Sequence, residues 1–237
     1  AGSTTPEGKQ YLADQYIKIY NNSDSVLYAD GLVILESAFK TSQKYDYTPD
    51  IMSRAMAVQC VYAIPGNGKD YPVQPGKSLL ICDKAIDHRE ANSNSFDLSN
   101  ADFEWYDDSD KNPDIDNPQV TNLDKIYSYT KTTWSLHNQG LCAYAIARLQ
   151  VDKNTFLTDY TYKATYINVI GESQDKNAYQ VPNAWIIDAV NISNKAQYAW
   201  NVVDASLDMG FTYCGEVALD KNRYNKSVRR KVLSTTP

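Results

Sequence analysis

Histidine is almost missing from this chain. Among 237 residues only His88 and His137 occur, far apart in sequence. A Ser-His-Asp triad or an imidazole-based zinc site would have to use one of them. No Gly-x-Ser-x-Gly elbow is present to present a serine nucleophile. The four cysteines, Cys60, Cys82, Cys142 and Cys214, include no C-x-x-C pair, which removes zinc-ribbon and thioredoxin-type readings. No run approaches 18 consecutive apolar residues, so no membrane-spanning helix is expected. Positive charge is in deficit as well: 23 Lys and Arg against 29 Asp and Glu give a net charge of −6. That balance argues against a nucleic-acid or anionic-membrane partner, either of which needs a basic face. The one basic run, Arg229, Arg230 and Lys231, reads as a solvated strand edge or tail.

What is abundant is tyrosine, 19 residues against 5 phenylalanines. Tyrosine suits half-buried strands, where the ring packs and the hydroxyl stays wet. Surface tyrosines of a sandwich are the preferred reading, and a sugar or cofactor platform is the alternative. A chain of this length buries roughly 70–75% of its unfolded surface, so it requires no metal or disulfide staple. Each cysteine sits in an apolar stretch and is read as a small buried hydrophobe, with one or two disulfides admitted in an oxidising compartment.

Period-2 alternation and turn signals dominate the chain. Residues 16–20 alternate, Asn21, Asn22, Ser23 and Asp24 make a turn, and 25–28 return, which predicts an opening hairpin ending at Gly31. Strands are expected at 32–38, 55–64, 78–82, 134–137, 141–149, 164–170, 185–190 and 211–219. A charged edge strand is expected at 222–232. Helical turns are expected near 48–54, 152–160 and 195–203. Many short strands divided by Gly, Pro and Asn turns predict a mainly β protein, a β-sandwich with long loops and one or two short helices. Residues 1–14 read as a flexible tether, 15–232 as a single domain with a long insertion at about 83–124, and 233–237 as a tail. So long a structureless loop is unusual, and it is read as a functional lid or as a segment ordered by short turns around 98–103.

That loop holds the candidate site residues. Asp108, Asp110, Asn112, Asp114 and Asp116 place oxygen ligands two residues apart, the spacing with which a Ca²⁺ loop wraps a hard cation. Pro113 stands where the turning glycine of an EF-hand belongs and Gln119 where its closing glutamate belongs, so a solvated acidic loop with Asx-turns is preferred. No cofactor is required, and Ca²⁺ is the one admitted. Trp105 and Tyr106 abut the acidic run and are candidates to stack on a ligand, with His88 and Asp97 beside them. Trp134 and Trp185 are assigned to the core. Asp102 and Glu104 flank Phe103 at a spacing a glycosidase pair can use, but solvated faces produce such pairs by chance. Gly66, Asn67, Gly68 and Lys69 lack the spacing of a phosphate loop and are read as a turn.

Several stretches in order carry a family resemblance: QYIKIYNNSDSVLYADGL, IPGNGKDYPVQPGKSLLICDKAIDH, NSFDLSNADFEWYD, LHNQG, WIIDAVN and NRYNKSVRRKV. Together they cover most of residues 15–232. They resemble an uncharacterised Bacteroidetes family of secreted, lamin-tail-like domains, usually carried on outer-membrane lipoproteins. The resemblance implies an immunoglobulin-like sandwich, an extracytoplasmic address and lipid anchoring through an upstream cysteine. It brings no catalytic residues. The resulting expectation is a monomeric, non-catalytic binding or scaffold domain, accessory to an outer-membrane uptake receptor. A hydrolase acting on polysaccharide or peptide with a loop-bound cation is one alternative. The other is an adhesion module, whose sign would be an exposed apolar patch.

Overall fold

The two longest apolar runs pair with each other at the centre of the molecule. The structure, a computed structural model, describes residues 2–107, 109–111 and 113–231. Its first strands are β1 (Ser3–Thr4), β2 (Gln10–Tyr11), β3 (Tyr16–Tyr20), β4 (Leu27–Tyr28), β5 (Leu32–Lys40) and β6 (Ala55–Ala63). Then come β7 (Pro72–Val73), β8 (Ser78–Cys82), β9 (Phe103–Glu104), β10 (Thr121–Asn122) and β11 (Asp124–Ser128). The rest are β12 (Cys142–Arg148), helix α1 (Lys153–Asp159), β13 (Thr161–Ile167), β14 (Ser173–Pro182), β15 (Ile186–Ser193) and β16 (Thr212–Tyr213).

The large sheet runs β13-β14-β6-β5-β12-β15-β16. One edge of β6 is shared: β14 pairs along Ala55 to Val58, and β11 along Cys60 to Ala63. The smaller sheet runs β10-β9-β8-β3, antiparallel between β3 and β8 and parallel elsewhere. The protein is thus mainly β, consistent with a sandwich.

β5 and β6 are buried for eight consecutive residues each, so both faces of the large sheet are covered. Alternation divides their side chains between two cores. Leu32, Ile34, Cys60 and Tyr62 face the small sheet and meet Ile81, Phe103, Trp105 and Trp134. Val33, Leu35 and Val61 face the other way, with Ala143, Ala145 and Ala147 of β12. Tyr162 of β13 and Ile186 of β15 join that same second cluster, so strands from opposite ends of the sheet converge on it. Phe156 of α1 fills its centre, fully buried and stacked on Tyr160 and Tyr179. Asp152 starts the helix by accepting the N–H groups of Asn154 and Thr155 at 2.9 and 3.1 Å.

Most expected strands form, with ends displaced by up to three residues. The opening hairpin does not. β3 pairs with β8, Tyr16 opposite Cys82 and Tyr20 opposite Ser78, while β4 pairs with β7. Asn21 redirects the chain: its backbone bonds to Lys77 and Gly76, and its side-chain amide donates to Ser25 and Val73 carbonyls, both at 2.8 Å. Residues 134–137 form no strand, and only Thr212–Tyr213 of 211–219 does. The described part of 222–232 holds no strand but the end of a 3-10 turn, Lys221–Arg223. Near 195–203 there are turns in place of a helix, because Asn194 caps Gln197 and Asn191 draws in Val202. The ten-residue β14 was not anticipated, since half of it lies on polar, exposed chain held by β13 rather than by burial.

Residues 2–14 are no flexible tether. β1 and β2 pair, Ser3 is buried between Asp14 and Asn92, and Tyr11 bonds to His88 at 2.9 Å. All four cysteines are free thiols, with Cys60, Cys82 and Cys142 buried as read.

Truncating the plug should be costly. Phe156→Ala is expected to lower unfolding free energy by about 3–5 kcal/mol, the usual cost of emptying a buried phenylalanine site, measured by urea denaturation.

Candidate functional site

The described residues of 83–124 are ordered by short elements, a 3-10 turn at His88–Glu90 and the strands β9 and β10. Four of their acidic side chains, those of Asp83, Glu104, Asp107 and Asp114, are drawn inward. Asp107 is fully buried and accepts from Tyr62 Oη at 2.9 Å, Lys125 Nζ at 2.5 Å and the Trp134 N–H at 2.5 Å. Glu104 accepts the N–H groups of Ala85 and Asn117 at 2.8 and 2.7 Å. Asp114 binds Lys84 at 2.9 Å and accepts the Asp107 N–H at 3.2 Å. Burial pushes Asp83 up to about 8, reinforced by the charge of Asp114 and opposed by Lys84. Burial likewise raises Glu104 and Glu36. Glu36 lies between the sheets and accepts from Gln59, Trp134 and Tyr144 at 2.8, 3.2 and 3.0 Å.

Trp105 is fully buried against Trp134 and donates to the Trp134 carbonyl, so it is a core residue and not a stacking platform. His88 is also fully buried, Nδ1 toward Tyr11 Oη and Nε2 toward the Lys84 carbonyl at 2.9 Å, and it offers no face to a ligand. Both expected ligand-binding assignments are corrected: packing consumed these side chains. Asp97 is exposed, caps Ser99 and pairs with Arg89 at 3.2 Å. Tyr106 is half-buried beside Asp107 in sequence. Of the proposed Ca²⁺ ligands, Asp108 and Asn112 lie outside the described residues. Asp110 is exposed, Asp114 is paired with Lys84, and Asp116 accepts from Asn122 at 2.9 Å. Among the described residues no group of three His, Cys, Asp or Glu side chains is arranged to hold a metal.

The feature that stands out on the surface is elsewhere. β13 and β14 form a seven-pair hairpin, Thr161 opposite Tyr179 through Ile167 opposite Ser173. At its tip Ile167 is 57% exposed, Val169 83% and Ile170 73%. The tip is built, not frayed: Asn168 Oδ1 accepts the N–H groups of Ile170 and Glu172 at 3.0 and 2.9 Å. Gly171 supplies the positive φ of 84° that closes the turn. Lys163 pairs with Asp175 at 2.7 Å across the arm. Beneath the tip Tyr45 stacks on Tyr166 with centroids 4.7 Å apart, and Tyr47 stacks on Phe39 and Trp200. A shallow depression of about 390 Å³ opens between Lys44, Tyr45, Asp46 and Ile167. Expecting a strand through Ile170 hid this tip. The signal was an apolar pair placed directly before Gly171, where turns are normally polar.

A family model described as a protein of unknown function (DUF4876) matches residues 74–237, more than half of the chain. The chain belongs to the DUF4876 family. The matched span carries β8 to β16, the 83–124 segment and the apolar hairpin. A crystal structure of a DUF4876 family protein from Bacteroides thetaiotaomicron is similar over 90% of this chain, with a TM-score of 0.72 at 24% identity. At that identity the likeness speaks for the fold, and it reaches beyond the matched span into the strands before residue 74. This DUF4876 chain spans 57% of the length of that protein. No curated protein matches it.

Two expectations follow from the loop. Asp83 has a folded-state value above its ordinary 3.8, so its contribution is present at low pH and lost as pH rises from about 4 through about 8. Asp83→Asn should therefore remove a fall in stability across that window, measured as melting temperature against pH relative to wild type. Millimolar CaCl₂ should leave the melting temperature unchanged, because Asp114 already holds Lys84 and Asp116 accepts from Asn122; a rise of several degrees would establish the cation reading.

Proposed function

We propose that this chain is a non-catalytic binding domain that works outside the cytoplasm on a bacterial surface lipoprotein, docking to an outer-membrane uptake receptor. The observation that carries the binding role is the apolar tip of the β13–β14 hairpin. Three aliphatic side chains project from a turn whose backbone Asn168 ties together, on an arm beside a ledge of tyrosines. Contiguous exposed apolar surface on a soluble domain marks a place where another molecule covers it. Tyrosine is enriched at the centres of protein interfaces, where the buried core is more apolar than the rest of the surface.

The non-catalytic part of the reading is supported by where the titratable groups sit. Asp107, Glu104 and Glu36 spend their oxygens on internal donors, and His88 spends both ring nitrogens. The lamin-tail-like sandwich and the lipoprotein setting rest on the ordered sequence motifs alone; the relative from Bacteroides thetaiotaomicron supports the Bacteroidetes link. An adhesion module is the second reading. It uses the same tip and differs only in the partner.

The double variant Val169→Asp/Ile170→Asp tests the reading. Away from buried contacts it should change stability by no more than about 0.5 kcal/mol. A photo-crosslinker at Val169 should form an adduct with an outer-membrane protein in cells, and the double Asp variant should reduce capture of that protein at least tenfold. Undiminished capture by the folded variant would move the interface away from the tip.

A further inference from the structure

The small sheet ends at β3, and the outer edge of that strand is open. Its hydrogen-bond parity can be read from its two ends. The Asp83 N–H donates to the Gln15 carbonyl, and the Asn21 N–H donates to the Lys77 carbonyl. Antiparallel alternation therefore aims the backbone groups of Ile17 and Ile19 at β8, and those of Tyr16, Lys18 and Tyr20 away from it. Among the described residues nothing bonds to the outward groups of these three. Ile17 and Ile19 pack on the inter-sheet core, while Tyr16 is 36% exposed, Tyr20 59%, and Lys18 stands exposed between them.

Charge narrows the choice of occupant. The strand reads Tyr-Ile-Lys-Ile-Tyr, the same in both directions. Two copies pairing antiparallel in the centred register would set Lys18 directly against its own copy, and like charges opposed across strands destabilise the pair. A lysine on an edge strand discourages pairing with any strand that brings no opposite charge to it. Lys18 also forms no ion pair among the described residues. An incoming strand that places a carboxylate opposite it gains both the ladder and the charge pair.

We propose that β3 accepts an extended segment of a partner protein as a fifth strand of the small sheet, with an acidic residue opposite Lys18. In strand addition the main-chain bonds supply affinity and alternate side chains supply specificity. Here the specificity comes from Lys18 and from the flanking rings of Tyr16 and Tyr20. This surface is separate from the β13–β14 tip and does not depend on it.

The parity of the edge gives a test that a merely structural strand would not pass. The probes are the blocked peptides Thr-Val-Glu-Val-Thr and Thr-Val-Lys-Val-Thr at millimolar concentration with the full chain, followed by amide hydrogen exchange. The Glu peptide should slow exchange at Tyr16, Lys18 and Tyr20 at least tenfold and leave the already bonded Ile17 and Ile19 unchanged. The Lys peptide should not. Lys18→Glu should reverse the preference while keeping the strand. Protection by neither peptide, protection indifferent to Lys18→Glu, or a dimer of the free chain that protects the same three amides would each overturn the proposal.

Discussion

The pairing of β5 with β6 is the constraint on which the rest of the molecule depends. Both strands are dry on both faces, so each alternate side chain must find an apolar layer. One layer is the small sheet, which contributes Ile81 and Phe103. The other is made by α1 and by strands from both ends of the large sheet. Neither layer is large alone. A sheet buried on both sides recruits distant segments because exposing either face would return a row of Val, Leu and Ile to water.

Polar groups caught between these layers are matched closely. Asp107 binds a tyrosine, a lysine and a backbone N–H, and thereby ties β6 and β11 to the segment leading into Trp134. Glu36 collects three side-chain donors from three different segments. A buried carboxylate is tolerated only when such donors surround it, and removing a partner costs more than the pair contributes. These nodes fix how the acidic stretch lies against the sandwich. They also explain why residues that look reactive in sequence are occupied in the fold.

On the periphery of the fold lie an arm with an aliphatic tip and a strand edge carrying Lys18, which forms no ion pair among the described residues. Both sit on regular strands rather than on loose loops, so their geometry is set by ladders. Rigid presentation lowers the ordering cost of association.

The sequence by itself determined the β class, the central strands, a helical turn near 152–160 and the burial of Cys60, Cys82 and Cys142, because period-2 alternation and apolar flanks are local signals. The ordered motifs also pointed to a Bacteroidetes family, and the DUF4876 match agrees with that reading. Only the tertiary structure decided the partners. Asn21, with bonds to residues 73, 76 and 77, turned an apparent hairpin into two strands with separate mates. Trp105 and His88 looked available because sequence shows which side chains can bind a ligand and not which are already spent inside. The apolar tip was hidden for the converse reason. Val169 and Ile170 look like buried strand until the turn at Asn168 and Gly171 sets them beyond every layer that might have covered them.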